Sequence, residues 1–95
     1  MEVYNSEIKK NEIKKIIMNL IQTISKIPIS EDDITENADL FAKHIIDSLA
    51  FIKLINGLEM EFNIEFGVME LLVNNFKSIE EIASTVEKKL ISEVS

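Results

Sequence analysis

Residues 47–62 read DSLAFIKLINGLEMEF, and this stretch joins a helix-start signal to an apolar repeat. Asp47 and Ser48 carry side-chain oxygens that accept hydrogen bonds from the free N–H groups of a first helical turn. Five apolar residues then recur at helical spacing: Phe51, Leu54, Ile55, Leu58 and Phe62. The pattern predicts a helix from about Ser48 to Phe62 that buries these five side chains.

The opposite face of this predicted helix also carries apolar residues. It comprises Leu49, Lys53, Asn56 and Met60, with Ile52 at its boundary. Single exposed apolar side chains are common on protein surfaces. Several of them beside one helix start form a candidate docking patch, because interfaces collect apolar side chains within a polar rim.

Two further long helices are predicted on either side of residues 47–62. Before this stretch, six apolar residues fall on one stripe: Ile13, Ile16, Ile17, Leu20, Ile21 and Ile24. The first helix should end near Ser25, because Pro28 disfavours helical backbone in the residue before it. Near the other end, Ser78 and Glu81 have capping-box spacing. The stripe that follows them reads Ile79, Ile82, Ala83, Val86 and Leu90.

The connecting segments hold apolar residues that we expect to anchor them in the core. In the long loop 26–46 the anchors are Ile34, Leu40, Phe41 and either Ile45 or Ile46, and after the second helix they are Ile64 and Phe66. The predicted core brings together Leu54, Leu58, Phe62, Ile16, Leu20, Val86 and Leu90. Residues 68–73 are almost wholly apolar, but the run is too short to assign from its pattern alone.

Composition and charge limit the classes of function. The chain has 95 residues, 17 of them acidic and 10 basic, for a net charge of −7. We expect one domain, 1–95, with frayed ends at 1–5 and 92–95. An acidic body disfavours nucleic-acid binding, which needs a basic face. A cytoplasmic location without membrane insertion is expected, because no signal-peptide pattern and no apolar run of bilayer length is present.

No group of residues predicts catalysis by the chain itself. His44, the single histidine, lies four residues before Ser48, and that spacing does not fix a hydrogen bond between the two side chains. The His, Asp and Glu residues show no metal-ligand spacing. The chain also lacks cysteine. We therefore expect a protein that is not an enzyme and binds no metal, and any thiol chemistry must come from a prosthetic group.

The order of these features resembles the acyl carrier protein family. The attachment triplet of that family is matched by Asp47-Ser48-Leu49, with Asp39-Leu40-Phe41 upstream and Leu58-Glu59-Met60-Glu61-Phe62 at the end of the same helix. The last helix opens Phe76-Lys77-Ser78-Ile79-Glu80-Glu81-Ile82. The resemblance covers the chain from Ile8 to Leu90.

The resemblance implies an all-α fold: an antiparallel four-helix bundle with three long helices, one short helix and a long first loop. It also implies a covalent 4'-phosphopantetheine arm on Ser48, with Asp47 recognised by the phosphopantetheinyl transferase that attaches it. The thiol of the arm would hold an acyl or aminoacyl group as a thioester for enzymes of fatty acid, polyketide, non-ribosomal peptide or D-alanyl transfer pathways. The expected protein is a monomer that offers these loading and downstream enzymes a partner face made of Leu49, Ile52, Lys53, Asn56 and Met60.

Two departures from the family pattern bear on the site. Many members have glycine two or three residues before the Asp, where this chain has Ile45 and His44, so the local backbone shape is an open point. Carriers of bacterial fatty acid synthesis usually have acids just after the attachment leucine and further along the helix, where this chain has Ala50 and Lys53. A specialised polyketide, peptide or D-alanyl system therefore fits at least as well as fatty acid synthesis.

A different class of function also fits the residues. A small helical adaptor could bind a partner through Leu49 and Met60, with Asp47 and Ser48 acting only as a helix cap. Treatment with coenzyme A and a broad-specificity transferase separates the two hypotheses, because only a carrier gains the mass of the arm.

Overall fold

The computed structural model describes residues 6–25, 29, 34–35, 37–73 and 76–94, and the side chains of all of these except 6–8, 72–73 and 92–94. The described residues form four α-helices: α1 (Ser6–Ile24), α2 (Ser48–Phe62), α3 (Val68–Val73) and α4 (Ile79–Val94). The predicted all-α fold, with three long helices and one short one, is therefore confirmed. Residues 1–5 lie outside the described residues, and α4 continues through 92–94, where we expected a frayed end.

Helix α1 packs on both α4 and α2 through one narrow row of isoleucines. Ile13, Ile17 and Ile21 are spaced four residues apart and are at most 1% exposed. Residues four apart lie on the same side of a helix, so this row points into the bundle. Ile16 was expected in the core, but it is half-buried and lines a shallow cleft with Leu20 at the edge of the α1–α2 contact.

Helix α2 supplies the centre of the core. Leu54 and Leu58 are fully buried, and Ala50 and Ile55 are also buried. The other expected core residues, Phe51, Phe62, Leu20 and Leu90, are only partly buried and pack against the edge of this cluster. At Gly57 an added Cβ would lie 3.0 Å from Leu20 Cδ2, so the glycine allows close approach of α1 and α2.

Helix α4 begins with the predicted capping interaction. The Glu81 backbone N–H donates to Ser78 Oγ at 3.2 Å, and the Ser78 hydroxyl donates to Glu81 Oε1 at 3.5 Å. Ser78 is buried, so its hydroxyl is committed to the helix start. Of the predicted stripe of α4, Ile79, Ile82, Ala83 and Val86 are buried, and Leu90 is partly buried.

Two lysines of α1 clamp one acid of α4. Lys10 Nζ lies 2.6 Å from Glu80 Oε1, and Lys14 Nζ lies 2.7 Å from Glu80 Oε2. The hydrogen bond from Lys10 and then the one from Lys14 lower the pKa of Glu80. Because the two lysines are four residues apart, they lie on one side of α1, facing α4.

Among the helices that the structure describes, none combines the length and the apolar character that crossing a bilayer requires.

Candidate functional site at the start of α2

The loop before α2 is fixed by buried isoleucines and by its backbone. Ile34 and Leu40 are buried, as predicted, and both Ile45 and Ile46 are buried where one of the two was expected. The Leu40 N–H donates to the Lys77 carbonyl at 2.7 Å, which ties the loop to the segment before α4. The loop therefore holds the start of α2 in a defined place relative to α4.

Phe41 was expected in the core, and that prediction is wrong. Its side chain is 37% exposed and lies beside Phe51, with ring centroids 5.8 Å apart. The reason is the tight turn after Leu40: Asp39 Oδ1 accepts the N–H groups of Phe41 and Ala42 at 3.1 and 3.0 Å. With Leu40 pointing into the core, the turn places Phe41 on the surface against the first turns of α2.

His44 has a left-handed backbone conformation, with φ 61°. Residues other than glycine, Asn and Asp seldom adopt this region, because Cβ approaches the backbone carbonyl. His44 is one of the two positions at which the family pattern commonly has glycine, and its left-handed backbone is one that glycine adopts readily. The His44 side chain is exposed, and within the described part of the chain no hydrogen bond joins it to Ser48.

Asp47, not Ser48, is the N-cap of α2. Its backbone is extended (φ −107°, ψ −174°), and its Oδ1 accepts the Ala50 N–H at 2.8 Å. Ser48 is the first helical residue and is exposed. The sequence alone indicated a capping pair without showing which of the two residues caps the helix. In the structure Asp47 caps the helix and Ser48 presents its hydroxyl to solvent.

The surroundings of Ser48 suit a phosphate ester. The first turn of α2 has free backbone N–H groups and the positive end of the helix dipole, both of which favour an anion. No acidic residue lies in that first turn. The residues present therefore fit a phosphodiester at Ser48. Across the described residues no group of three or more His, Cys, Asp or Glu could hold a metal ion.

The face of α2 that we expected to point outward does so. Leu49, Ile52 and Met60 are 53%, 57% and 84% exposed, and Lys53 and Asn56 are exposed beside them. Helix α3 adds two exposed apolar residues, Val68 and Met69. Sequence reasoning missed these two, because an unbroken apolar run does not show which residues face solvent.

A cleft of about 280 Å³ lies between α2 and α3. Its lining residues are Phe51, Ile52, Ile55, Asn56, Glu59, Phe66 and Leu71. Phe51 and Phe66 both contact the buried Phe76, with ring centroids 5.6 and 5.8 Å away. With Phe41, these rings form a continuous row from the loop before Ser48 to the α2–α3 connector, which sequence periodicity could not reveal.

The far end of α2 is closed by a set of polar contacts. Asn63, at φ 53°, is the C-cap residue, and its N–H donates to the Glu59 carbonyl. Glu59 Oε2 accepts the Phe66 N–H at 2.9 Å. Glu70 Oε1 accepts the Gly67 N–H at 2.9 Å and lies 2.7 Å from Lys89 Nζ; the first of these contacts, then the second, lowers the pKa of Glu70.

Comparison with known proteins identifies the family. A family model described as a phosphopantetheine attachment site matches residues 15–86, which include both Ser48 and the whole of α2. The chain is a member of the acyl carrier protein family. This family carries covalently attached 4'-phosphopantetheine.

Two similar proteins agree with this assignment. The aminoacyl carrier protein of Agrobacterium fabrum strain C58 is 34% identical over 71 residues, which cover 75% of this chain and 84% of the relative. The solution NMR structure of the holo acyl carrier protein from Geobacter metallireducens matches with a TM-score of 0.64 at 22% identity, covering 90% of each chain. The structural match confirms the carrier-type helical bundle. Membership of the family favours the carrier hypothesis over a simple adaptor.

Proposed function

We propose that this carrier holds an aminoacyl group as a thioester on a 4'-phosphopantetheine arm attached to Ser48, and does not itself catalyse a reaction. The observation that supports the attachment point is that Asp47 and Ser48 have different roles at the start of α2. Asp47 caps the helix, so the Ser48 hydroxyl is not required for folding and is exposed at the anion-favouring end. When bound, the arm supplies the thiol that the cysteine-free chain lacks.

The attachment reaction requires an outside enzyme, since in the described part of the chain no hydrogen bond joins the Ser48 hydroxyl to a base. In the proposed step Ser48 Oγ attacks the phosphorus of coenzyme A that bears the pantetheine. The Oγ–P bond forms and the pyrophosphate P–O bond breaks. Adenosine 3',5'-bisphosphate leaves, and the hydroxyl proton passes to a base of the transferase. Asp47 is proposed to lie next to that enzyme, where its carboxylate contributes to recognition.

Intact-protein mass spectrometry tests the attachment. The chain is incubated with coenzyme A and a broad-specificity phosphopantetheinyl transferase, and we expect the mass of one arm to be added. Ser48→Ala should abolish the addition. Ser78→Ala is the matched control: Ser78 also stands at a helix start, but its buried hydroxyl caps α4. An unmodified Ser48 in the presence of an active transferase would contradict the proposal.

An aminoacyl cargo is the finer part of the proposal. It is supported by the similarity to a relative whose name is aminoacyl carrier protein. It is also supported by the sequence of α2, where the buried Ala50 and the exposed Lys53 stand in place of the acids usual in fatty acid carriers. Competitive loading of the armed protein with aminoacyl and fatty acyl groups by candidate loading enzymes would test this choice.

We further propose that the loading enzyme docks on Leu49, Ile52, Lys53, Asn56 and Met60. A partner must approach this side of α2 to reach an arm on Ser48, and the exposed apolar residues there supply contact area. Lys53 is the only charged residue of the five, so it should select a partner with an acidic group at that point.

Loading kinetics with pre-armed protein test the docking face. Lys53→Glu should leave folding intact, slow loading by the cognate enzyme by up to about tenfold and improve use by fatty acid synthesis enzymes. Met60→Ala should slow cognate loading by loss of apolar contact. Lys88→Glu, an exposed lysine of α4, is the control. Unchanged rates for Lys53→Glu and Met60→Ala would show that the enzyme reads another surface.

A further inference from the structure

One side of α2 leads from Ser48 along the α2–α3 cleft to a single carboxylate. Ile52, Ile55 and Glu59 all line the cleft. Ser48 lies one turn before Ile52, and the spacings of four, three and four residues keep Ser48, Ile52, Ile55 and Glu59 on the same side of the helix. An apolar strip therefore separates the attachment hydroxyl from the carboxylate.

Glu59 is fixed through both its side chain and its backbone. Its Oε2 accepts the Phe66 N–H at 2.9 Å. Its backbone carbonyl accepts the N–H groups of Asn63 and of Ile64, the latter at 3.2 Å. The side chain is half-buried, so its position is fixed while part of it remains accessible from the cleft.

The surroundings of Glu59 are negative. A wider open cleft adjoins the first one, sharing Asn56, Glu59 and Phe66 with it. Its charged lining residues are Glu59, Glu65, Glu70 and Lys89. Because Lys89 is paired with Glu70, the local balance of this region favours a cation beside Glu59.

The distance along α2 matches the length of the arm. Ser48 and Glu59 are eleven residues apart, which is about three turns and about 16 Å along the helix axis. A phosphopantetheine arm has the backbone length of about five amino-acid residues, so its extended length is about 16–18 Å. A group at the end of the arm can therefore reach the Glu59 carboxylate along the apolar strip.

We propose that Glu59 receives the α-ammonium group of the aminoacyl cargo and so distinguishes an aminoacyl from a plain acyl group. The proposal rests on the aminoacyl function proposed above. Ile52, Ile55, Phe51 and Phe66 cover the apolar part of the arm, and the fixed carboxylate pairs with the ammonium at its end. A propionyl group lacks the amine and therefore cannot form an ion pair with this carboxylate.

Two stable cargoes test the proposal on the intact chain. Broad-specificity transferase is used to attach arms that carry an alanyl or a propionyl group through an amide in place of the thioester, so that neither is hydrolysed. The mass of each product is recorded first. The backbone amide resonances of Glu59 and Phe66, and the pKa of the alanyl amine, are then measured by NMR.

The expected results separate charge recognition from general contact. Both arms lie in the cleft, so alanyl cargo should move the Glu59 and Phe66 resonances further than propionyl cargo does, because only the alanyl group carries an ammonium group. Glu59→Gln keeps an acceptor for the Phe66 N–H but loses the charge, so it should lower the pKa of the alanyl amine by about 0.2–0.7 of a unit. Glu61→Gln, an exposed acid two residues away, is the matched control and should leave that pKa unchanged.

The failures are distinguishable. If no arm is added, the proposed function falls and this inference falls with it. If both cargoes are attached but the alanyl and propionyl forms give the same resonances, or if Glu59→Gln and wild type give the same amine pKa, the role of Glu59 is wrong and the carrier function stands. The comparison of the two cargoes uses wild-type protein, so it does not depend on the folding of the variant.

Discussion

Among the described side chains, helices α1 and α4 bury nearly all of their large apolar groups, whereas the loop before α2, α2 itself and α3 leave six of theirs exposed. We refer to α1 with α4 as the closed side, and to residues 37–46 with α2 and α3 as the open side. The six are Phe41, Leu49, Ile52, Met60, Val68 and Met69, while the described side chains of the closed side include one, Ile91. Folding alone gains little from these exposed groups, so their concentration on the helix that carries Ser48 and on its two neighbouring segments indicates a surface that other proteins cover.

The largest expected effect tests whether burial separates the two faces of α2. Leu58 is fully buried and Met60 is 84% exposed, although they are two residues apart. Leu58→Ala should lower the free energy of unfolding by roughly 2–5 kcal/mol, because it removes packed methyl groups and leaves a cavity. Met60→Ala should change it by no more than about 0.5 kcal/mol. Chemical denaturation measures both, and a small effect for Leu58→Ala would mean that α2 is rotated from its described orientation.

The next largest expected effect concerns Asp47, the N-cap residue of α2 on the open side. Asp47→Ala should destabilise the protein by about 0.5–2 kcal/mol, because the Ala50 N–H loses its cap. Asp47→Asn keeps a good capping residue and should cost much less. If Asp47 is also recognised by the transferase through its charge, Asp47→Asn should slow arm attachment while stability is largely retained. Equal attachment rates for wild type and Asp47→Asn would show that the charge of Asp47 is not recognised and that the residue acts only as the helix cap.

His44 offers a gain in stability on the same loop. Its left-handed backbone is unfavourable for a histidine and favourable for glycine. His44→Gly should therefore raise the free energy of unfolding by up to about 1 kcal/mol, reduced by the greater entropy of glycine in the unfolded chain. Lys43→Gly is the control and should destabilise, because Lys43 does not have a positive φ. A loss of stability in His44→Gly would show that the histidine side chain makes contacts that outweigh the strain.

The sequence predicted the closed side better than the open side. Regular 3.6-residue spacing predicted α1, α4 and the Ser78–Glu81 cap, because each of these depends on neighbours within one segment. On the open side the same spacing predicted the burial of Leu54 and Leu58 in α2. Ile16 was wrongly predicted to lie in the core, because the buried row of α1 is narrower than the predicted apolar stripe. Its direction on the helical wheel is about 100° from that of Ile17, at the edge of the contact.

The open side depends on contacts between segments that are distant in the sequence. Phe41 was placed in the core because it is apolar, but the Asp39 turn decides where it points. The exposed face of α2 follows from its periodicity and was predicted. The cleft, the row of phenylalanine rings and the position of Glu59 at its end require the fold of the connectors, and no local pattern encodes them.

The smallest expected effect lies on the closed side, at the ion pairs of Glu80. The Glu80 pKa is lowered in the folded protein by Lys10 and Lys14, so the pairs stabilise the fold above the unfolded pKa, near 4.5. That contribution is lost as the pH falls from about 4.5 through the folded pKa. Because Glu80 is one-third exposed, Glu80→Gln should cost only about 0.2–1 kcal/mol at pH 7.

Thermal or chemical unfolding at several pH values measures this difference between wild type and Glu80→Gln. The gap should close as the pH is lowered below 4.5 and should shrink in high salt, which screens exposed charges. Lys10→Gln leaves the Lys14 pair in place, so its effect should be smaller. A gap that persists unchanged at low pH would mean that packing of the Glu80 side chain, and not its charge, joins α1 to α4. Apolar contact alone would then hold the closed side together, and the two sides would differ only in whether their apolar side chains are buried or exposed.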